Sequence, residues 1–329
     1  MTTPDAAELA SRTDAVILVG GQGTRLRPLT VGTPKPMLPT AGVPFLEHLL
    51  GRIRAAGMTH VVLGTSYKAE VFEEHFGDGS DLGLDIEYVV EDEPLGTGGG
   101  IRNVADKLRF DTQMVFNGDV LGGTDLGAIL AQHAEKEADV TMHLVRVPDP
   151  RAFGCVPTDD DDRVLEFLEK TQDPPTDQIN AGCYVFRREI IENIPAGRAI
   201  SVEREIFPAL LDDGRRVYGY VDYAYWRDMG TPADFVRGSS DLVRGIAPSP
   251  LLEGRHGESP VVLVLHAVPL APLRGRGLAL PDGLAWLVHA QRVARLAAVC
   301  ARALQLLGLR AQLDGVWLRP RLRRPRGLQ

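Results

Sequence analysis

Cysteine is scarce, at 3 in 329 residues. Cys155, Cys183 and Cys300 stand far apart with no metal-ligand spacing, which excludes a disulfide scaffold and a thiolate zinc site. A reducing cytoplasm is the expected compartment. Long apolar runs are lacking as well. The first, residues 15–19, is too short for the core of a secretory signal and has no basic flank. The longest weakly charged stretch, residues 260–273, falls short of the ~20 residues that span a bilayer and is broken by prolines. Neither export nor a membrane partner is expected. A basic footprint is also missing from most of the chain, so nucleic acid is not an expected partner.

The last point needs the charge divided. The formal net charge is -8, but residues 260–329 hold eleven Arg, no Lys and only Asp282 and Asp314 as acids, a local charge of +9. The preceding 259 residues therefore carry -17. With 44% hydrophobic and 24% charged residues, the chain is compositionally globular rather than disordered or collagenous. Its length predicts one large α/β unit with an appendage, or two domains.

Between residues 15 and 147, short β-branched runs alternate with amphipathic segments: AVILV, a helix over 45–56, HVVLGT, a helix over 67–76, and DIEYVV. That alternation predicts a Rossmann-like α/β fold, with a mostly parallel sheet covered by helices on both faces. In the helix over 45–56, Pro44 suits the first turn, Phe45, Leu46, Leu49, Leu50 and Ile53 share a face, and Gly57 ends it. After Val147 come short strands with turn signals, read as an inserted antiparallel lid region on the same sheet. A helix near 202–211 and a strand near 217–221 follow. Residues 238–259 have linker composition, which places a boundary near Arg237 and a catalytic domain at 1–237.

Directly after AVILV stands Gly20-Gly21-Gln22-Gly23-Thr24-Arg25-Leu26-Arg27-Pro28. Clustered glycines at a strand end let backbone N–H groups approach a polyphosphate, and an Arg just beyond can grip it in a fork. The segment is neither a Walker loop nor a dinucleotide GxGxxG fingerprint. A glycine-rich turn is also ordinary tight-turn chemistry, and the Thr-Arg-Leu-x-Pro continuation is what separates the two readings.

GGQGTRLRPLT followed by Thr33-Pro34-Lys35-Pro36-Met37-Leu38-Pro39 resembles the signature of the sugar-1-phosphate nucleotidyltransferases. Further segments fit in order across residues 14–237: Glu93-Pro94-Leu95-Gly96-Thr97, Asn117-Gly118-Asp119, Phe153-Gly154, Glu169-Lys170, Asn180-Ala181-Gly182 and Trp226-Arg227-Asp228-Met229-Gly230-Thr231-Pro232. The resemblance implies attack by a sugar-1-phosphate oxygen on the α-phosphorus of a nucleoside triphosphate, expelling pyrophosphate. Holding two anions in line needs cations above all.

The resemblance assigns Arg25 to the β- and γ-phosphates and Lys35 to the triphosphate or sugar phosphate, with Pro34 and Pro36 holding the chain around Lys35 extended. It implies an Mg²⁺ site at Asp119 and Asp228, and a catalytic set of Arg25, Lys35, Asp119 and Asp228. Gly20, Gly21, Gly23, Thr24, Gly96 and Thr97 would surround the nucleotide. Gly154, Glu169, Lys170 and Asn180 would line the sugar-phosphate pocket, with Glu169 and Lys170 facing opposite sides of a strand. Leu95-Gly96-Thr97 resembles the mannose-1-phosphate guanylyltransferases, pointing to GTP and GDP-mannose. Thymidylyl or uridylyl transfer to glucose-1-phosphate is the nearest rival, and an inactive scaffold subunit the alternative of another class.

Each of these residues also has a plain reading: surface cations, Asx turns at Asp119 and Asp228, hairpin positions at Gly154 and Asn180. His48, His60, His75, His133 and His143 show no ligand spacing and read as packing or surface residues. Residues 260–329 lack Ser, Thr, Asn, Ile, Phe, Tyr, Met, Glu and Lys entirely. They show no hexapeptide period of a left-handed β-helix. This composition suggests a shifted reading frame in place of such a helix, with an Arg-rich amphipathic helix over 284–309 as the competing reading.

Overall fold

The computed structural model describes residues 5–253. The expected tail over 260–329, and the last part of the expected linker, lie outside them. Among the described residues the strands are β1 (Thr13–Leu18), β2 (Pro39–Thr40), β3 (Val43–Pro44), β4 (His60–Thr65), β5 (Asp85–Val90), β6 (Thr112–Asn117), β7 (Val120–Gly122), β8 (Val140–Arg146), β9 (Gly154–Cys155), β10 (Leu168–Glu169), β11 (Gln178–Arg187), β12 (Val217–Asp222) and β13 (Trp226–Asp228). The helices are α1 (Ala6–Ser11), α2 (Phe45–Ala55), α3 (Ala69–Phe76), α4 (Gly96–Asn103), α5 (Leu126–Glu135), α6 (Arg188–Glu192), α7 (Phe207–Asp212) and α8 (Pro232–Val243). None of the described helices is long and apolar enough to cross a membrane.

β1 lies between β4 and β6, all parallel, and β5 extends the sheet beyond β4 in the same sense. β11 is antiparallel to both β6 and β8, and β12 runs parallel to β8. The expected mostly parallel α/β sheet is what the chain forms, with β11 as the reversed strand. Apolar runs such as AVIL in β1 follow from burial on both faces. Ala15 and Ile17 join one core with Leu46, Leu50 and Phe72, while Val16 joins the other with Ile101, Ile190 and Phe207.

The chain moves from β1 to β4 and β5 on one side, then returns to β6 on the other. Where strand order reverses, the carboxyl ends of β1 and β6 leave a crevice, the usual ligand position in open α/β sheets. The glycine turn follows β1 and Asn117-Gly118-Asp119 follows β6. The expected antiparallel insertion is present as β9, β10 and the amino-terminal half of β11.

The structure differs from the sequence reading at the expected boundary. α8 runs through Arg237 to Val243, and Leu242, Ala247 and Leu252 are buried with Phe45 and Met229. Ser249 Oγ lies 2.8 Å from His48 Nδ1. Packing explains the misleading composition: a Cβ on Gly238 would collide with Met229 Sδ, so glycine there permits a close helix contact rather than a flexible joint. The Thr231 hydroxyl caps the helix by accepting from Asp234 N (3.2 Å), and Pro232 opens its first turn.

Candidate active site

Lys35 is the centre of the charged cluster. Its side chain is 8% exposed, and its ammonium lies 2.9 Å from Asp119 Oδ2 and 3.8 Å from Asp228 Oδ1. Pro34 is extended, but Lys35 itself begins a 3₁₀ turn, Lys35–Met37, so the expected extended path around it is not what forms. The turn is what buries Lys35, Pro36 and Met37 and aims the ammonium inward.

A short ladder brings the carboxylates together. β7 pairs antiparallel with β13, setting Asp228 opposite Val120, and Met229 N donates to Asp119 O (3.0 Å). Burial raises the Asp228 pKa from its ordinary value and the adjacent Asp119 charge raises it further, against the pull of Lys35 and Arg25. Two carboxylates thus share one close ammonium.

Arg25 sits in the turn Thr24–Leu26, anchored by the buried Leu26. Its guanidinium lies over Gly230: a Cβ there would stand 2.8 Å from Arg25 Nη2 and 2.8 Å from Asp228 Oδ2. Gly230 is therefore needed for the Arg25 and Asp228 side chains to occupy their positions, a requirement that sequence reading did not assign. The signal was available in the WRDMGTP segment, where a glycine follows the carboxylate by two residues.

The glycine turn is built by distinct constraints. Gly23 adopts φ +58 beside Lys35 and Thr30, and Thr30 Oγ1 donates to Gly23 O (2.8 Å). Gly20 lies against Ser66. Gly21 has no neighbour within 4 Å of where a Cβ would stand and no left-handed φ, so protein packing does not demand glycine there. Thr24 is exposed on the same turn.

The other predicted residues fall elsewhere. Gly96 begins α4 at φ +68, against Ile200 O. Thr97 Oγ1 donates to Glu203 Oε2 (2.7 Å) and accepts from Val202 N (2.9 Å), so this hydroxyl fastens α4 to residues 200–203. Gly154 pairs with Glu169 across β9 and β10, and a Cβ on it would meet Phe167 and Glu169. Lys170 leaves the strand at φ +51, and its ammonium lies 3.5 Å from Glu169 Oε1. The expected alternation of these two side chains is lost because the strand ends at Glu169.

Asn180 Nδ2 donates to Tyr184 Oη (2.6 Å) and its Oδ1 accepts from Gly182 N (2.9 Å). It thereby shapes the irregularity in β11 where register shifts between Asn180 and Tyr184. Trp226, two residues before Asp228, joins the two groups. It packs edge-on against Phe153 at 5.4 Å between centroids and donates from Nε1 to Ala181 O (3.0 Å). The histidines pack as expected: His48 between Ser249 and Thr40, His60 on Asp14, His133 on Thr141 and His143 on Asp222.

Among the described residues no cluster of three or more potential metal ligands occurs. The pair Asp119 and Asp228 nevertheless fits a hard divalent cation that takes one or two carboxylates and completes its shell with water and substrate phosphates. The fit rests on two oxygen donors drawn together despite their mutual repulsion.

A glycine turn, two cations and paired carboxylates at the switch point of an open parallel sheet define a phosphate-handling transferase. The chain belongs to the nucleotidyl transferase family, whose model matches residues 14–245. It is 73% identical over 246 residues to a mannose-1-phosphate guanylyltransferase of Mycobacterium tuberculosis, covering 74% of this chain and 68% of that one. It is 34% identical over 236 residues to a UTP–glucose-1-phosphate uridylyltransferase of Synechocystis, covering 67% and 61%. The chain thus spans roughly two thirds of the length of these relatives. Among solved structures, HddC of Yersinia pseudotuberculosis complexed with GMP-PN matches with TM-score 0.61 and 30% identity, covering 70% of this chain and 99% of that one.

Proposed function

We propose that the chain transfers a guanylyl group from GTP to mannose-1-phosphate, giving GDP-mannose and pyrophosphate. The observation that carries this reading is the 73% identity over 246 residues with a mannose-1-phosphate guanylyltransferase. The 34% identity with a uridylyltransferase makes uridylyl transfer the weaker reading.

A phosphate oxygen of mannose-1-phosphate attacks the α-phosphorus of GTP, a new P–O bond forms, and the bond to the β-phosphate bridging oxygen breaks to release pyrophosphate. Both reacting groups are already capable, so the chain's task is to align two anions and offset their charge. Gly20, Gly21, Gly23 and Thr24 offer backbone N–H groups to the triphosphate, and Gly21 leaves room for close approach. Arg25 neutralises charge developing on the leaving phosphates. Lys35 holds the phosphates from the buried side of the site.

Asp119 and Asp228 would hold the divalent cation, Mg²⁺ in this reading, which when bound would supply positive charge to the phosphate oxygens. Gly96 and Thr97 shape the nucleoside side by fixing the start of α4. Gly154, Glu169, Lys170 and Asn180 form the sugar wall, where the carboxylate accepts from sugar hydroxyls and the ammonium meets the sugar phosphate.

Pyrophosphate release by the full chain, assayed over four nucleoside triphosphates and several sugar-1-phosphates, tests the reading. Highest kcat/KM for GTP with mannose-1-phosphate is expected. Preference for UTP or dTTP with glucose-1-phosphate would replace these substrates, and no turnover with any pair would favour a non-enzymatic subunit.

A further inference from the structure

Three consecutive side chains after β4 turn back onto the loop that carries Arg25. Ser66 Oγ donates to Gly20 O (2.7 Å), at the start of that loop. Tyr67 Oη donates to Val31 O (3.2 Å), and Lys68 Nζ donates to Val31 O (3.3 Å) and Gly32 O (2.8 Å), at its end. β4 is paired directly with β1, so both ends of the loop are tied to a rigid neighbour of the strand from which it springs. Ladder strands of this kind hold positions that loops cannot hold alone.

Lys68 carries most of this fastening. It adopts φ +56, a left-handed conformation uncommon for a residue with a Cβ, and the cost of such backbone is met only where surroundings require it. Its ammonium donates to the two loop carbonyls and also lies 5.5 Å from the Tyr67 ring centre. The loop needs outside support, since Leu29 and Val31 are 52% and 62% exposed. Its inner fastenings are the buried Leu26 and the Thr30–Gly23 hydrogen bond.

We propose that Ser66, Tyr67 and Lys68 are positioning residues for nucleotidyl transfer. They clasp both ends of the loop so that Arg25 and the glycine turn stand ready for the triphosphate. The proposal rests on reading that turn as the triphosphate site. None of the three need touch substrate. Their effect is on geometry, to which catalysis is steep: a displacement of ~1 Å can cost about a hundred-fold in rate.

The test measures steady-state kinetics with GTP and mannose-1-phosphate, and hydrogen exchange of backbone amides over 20–33 in the nucleotide-free protein. Lys68→Met should lower kcat/KM for GTP about ten-fold, leave the KM for mannose-1-phosphate unchanged, and speed exchange in the loop. Lys68→Arg, which can still donate to carbonyls, should restore both readouts, and Tyr67→Phe should show a smaller loss of the same kind. Unchanged loop exchange in Lys68→Met, or equal effects on both substrates, would overturn the clasp. Arg25→Ala separates the two levels. If it too leaves GTP kinetics intact, the triphosphate reading of the turn has failed; if it impairs them while Lys68→Met does not, only the clasp has.

Discussion

The proposed phosphate side of the site and its proposed sugar side are built by different means. On the proposed phosphate side, Arg25 and Lys35 from the β1–β2 connection, Asp119 just after β6 and Asp228 at the end of β13 crowd together: one ammonium stands 2.9 and 3.8 Å from two carboxylates, and Gly230 leaves room for Arg25 and Asp228. On the proposed sugar side, Gly154 and Glu169 sit on strands two residues long, and Lys170, just past the end of β10, remains exposed. The phosphate side must oppose strong fixed charges, so its groups are held by ladder pairing and burial. A sugar wall needs one carboxylate to accept hydrogen bonds from hydroxyls and one cation for the phosphate, and it can be built on short hairpin pieces. Trp226 links the two through Phe153 and Ala181.

Removing a charged group from the tight side should therefore have the largest effect. Asp228→Asn is expected to lower turnover about a thousand-fold, with the circular dichroism spectrum unchanged, because the loss falls on charge balance at the reacting phosphates. Near-normal rates would remove Asp228 from the metal pair. Gly230→Ala comes next, at about a hundred-fold, since the added methyl would push aside either Arg25 or Asp228 without removing any functional group. A rate close to wild type would show that the crowding over Gly230 is not required.

The looser side should respond differently. Glu169→Gln is expected to raise the KM for mannose-1-phosphate about ten-fold while leaving that for GTP unchanged, the signature of a lost charge-assisted hydrogen bond to one substrate. An equal rise for both substrates would show that the two sides are not separable.

This contrast also explains what could be read from the sequence. The alternation of AVILV and HVVLGT with amphipathic segments gave the parallel half directly, because strands buried on both faces must be continuously apolar, while DIEYVV at the sheet's edge is only partly buried. The phosphate residues stood in contiguous motifs, since each belongs to one loop at one strand end. The WRDMGTP segment carries a signal for Gly230, but its approach to Arg25, like the contacts of Ser66 to Lys68, was not visible, because these join segments distant in the chain. The second half of α8, residues 238–243, reads as linker because Gly238, Ser239 and Ser240 look flexible, whereas Gly238 lies in close contact with Met229. Lys170 lies past the strand that alternation assigns it to, because a strand end cannot be located by alternation alone.

The smallest effect expected on activity is one on stability, and it too distinguishes the halves of the sheet. In the β8 half, burial first and the Arg187 charge second push His133 down to about 4, where it stays neutral with Nδ1 2.9 Å from Thr141 Oγ1. The unfolded chain takes up that proton near pH 6.5 and the native chain only near 4, so this contribution is full at pH 7 and lost as pH falls across that window. The loss is about 3 kcal/mol at ~1.4 kcal/mol per pKa unit. In the parallel half, burial tends to raise Asp14, but hydrogen bonds from His60, Phe110 N, Gln113 and Arg109 N outweigh it and hold its pKa below 3.8. That stability persists until pH falls below the ordinary carboxylate range. Urea midpoints measured at pH 7, 5.5 and 4.5 should therefore fall less steeply in His133→Gln than in the parent. An identical slope in the two proteins would mean that His133 is not what couples this half to pH.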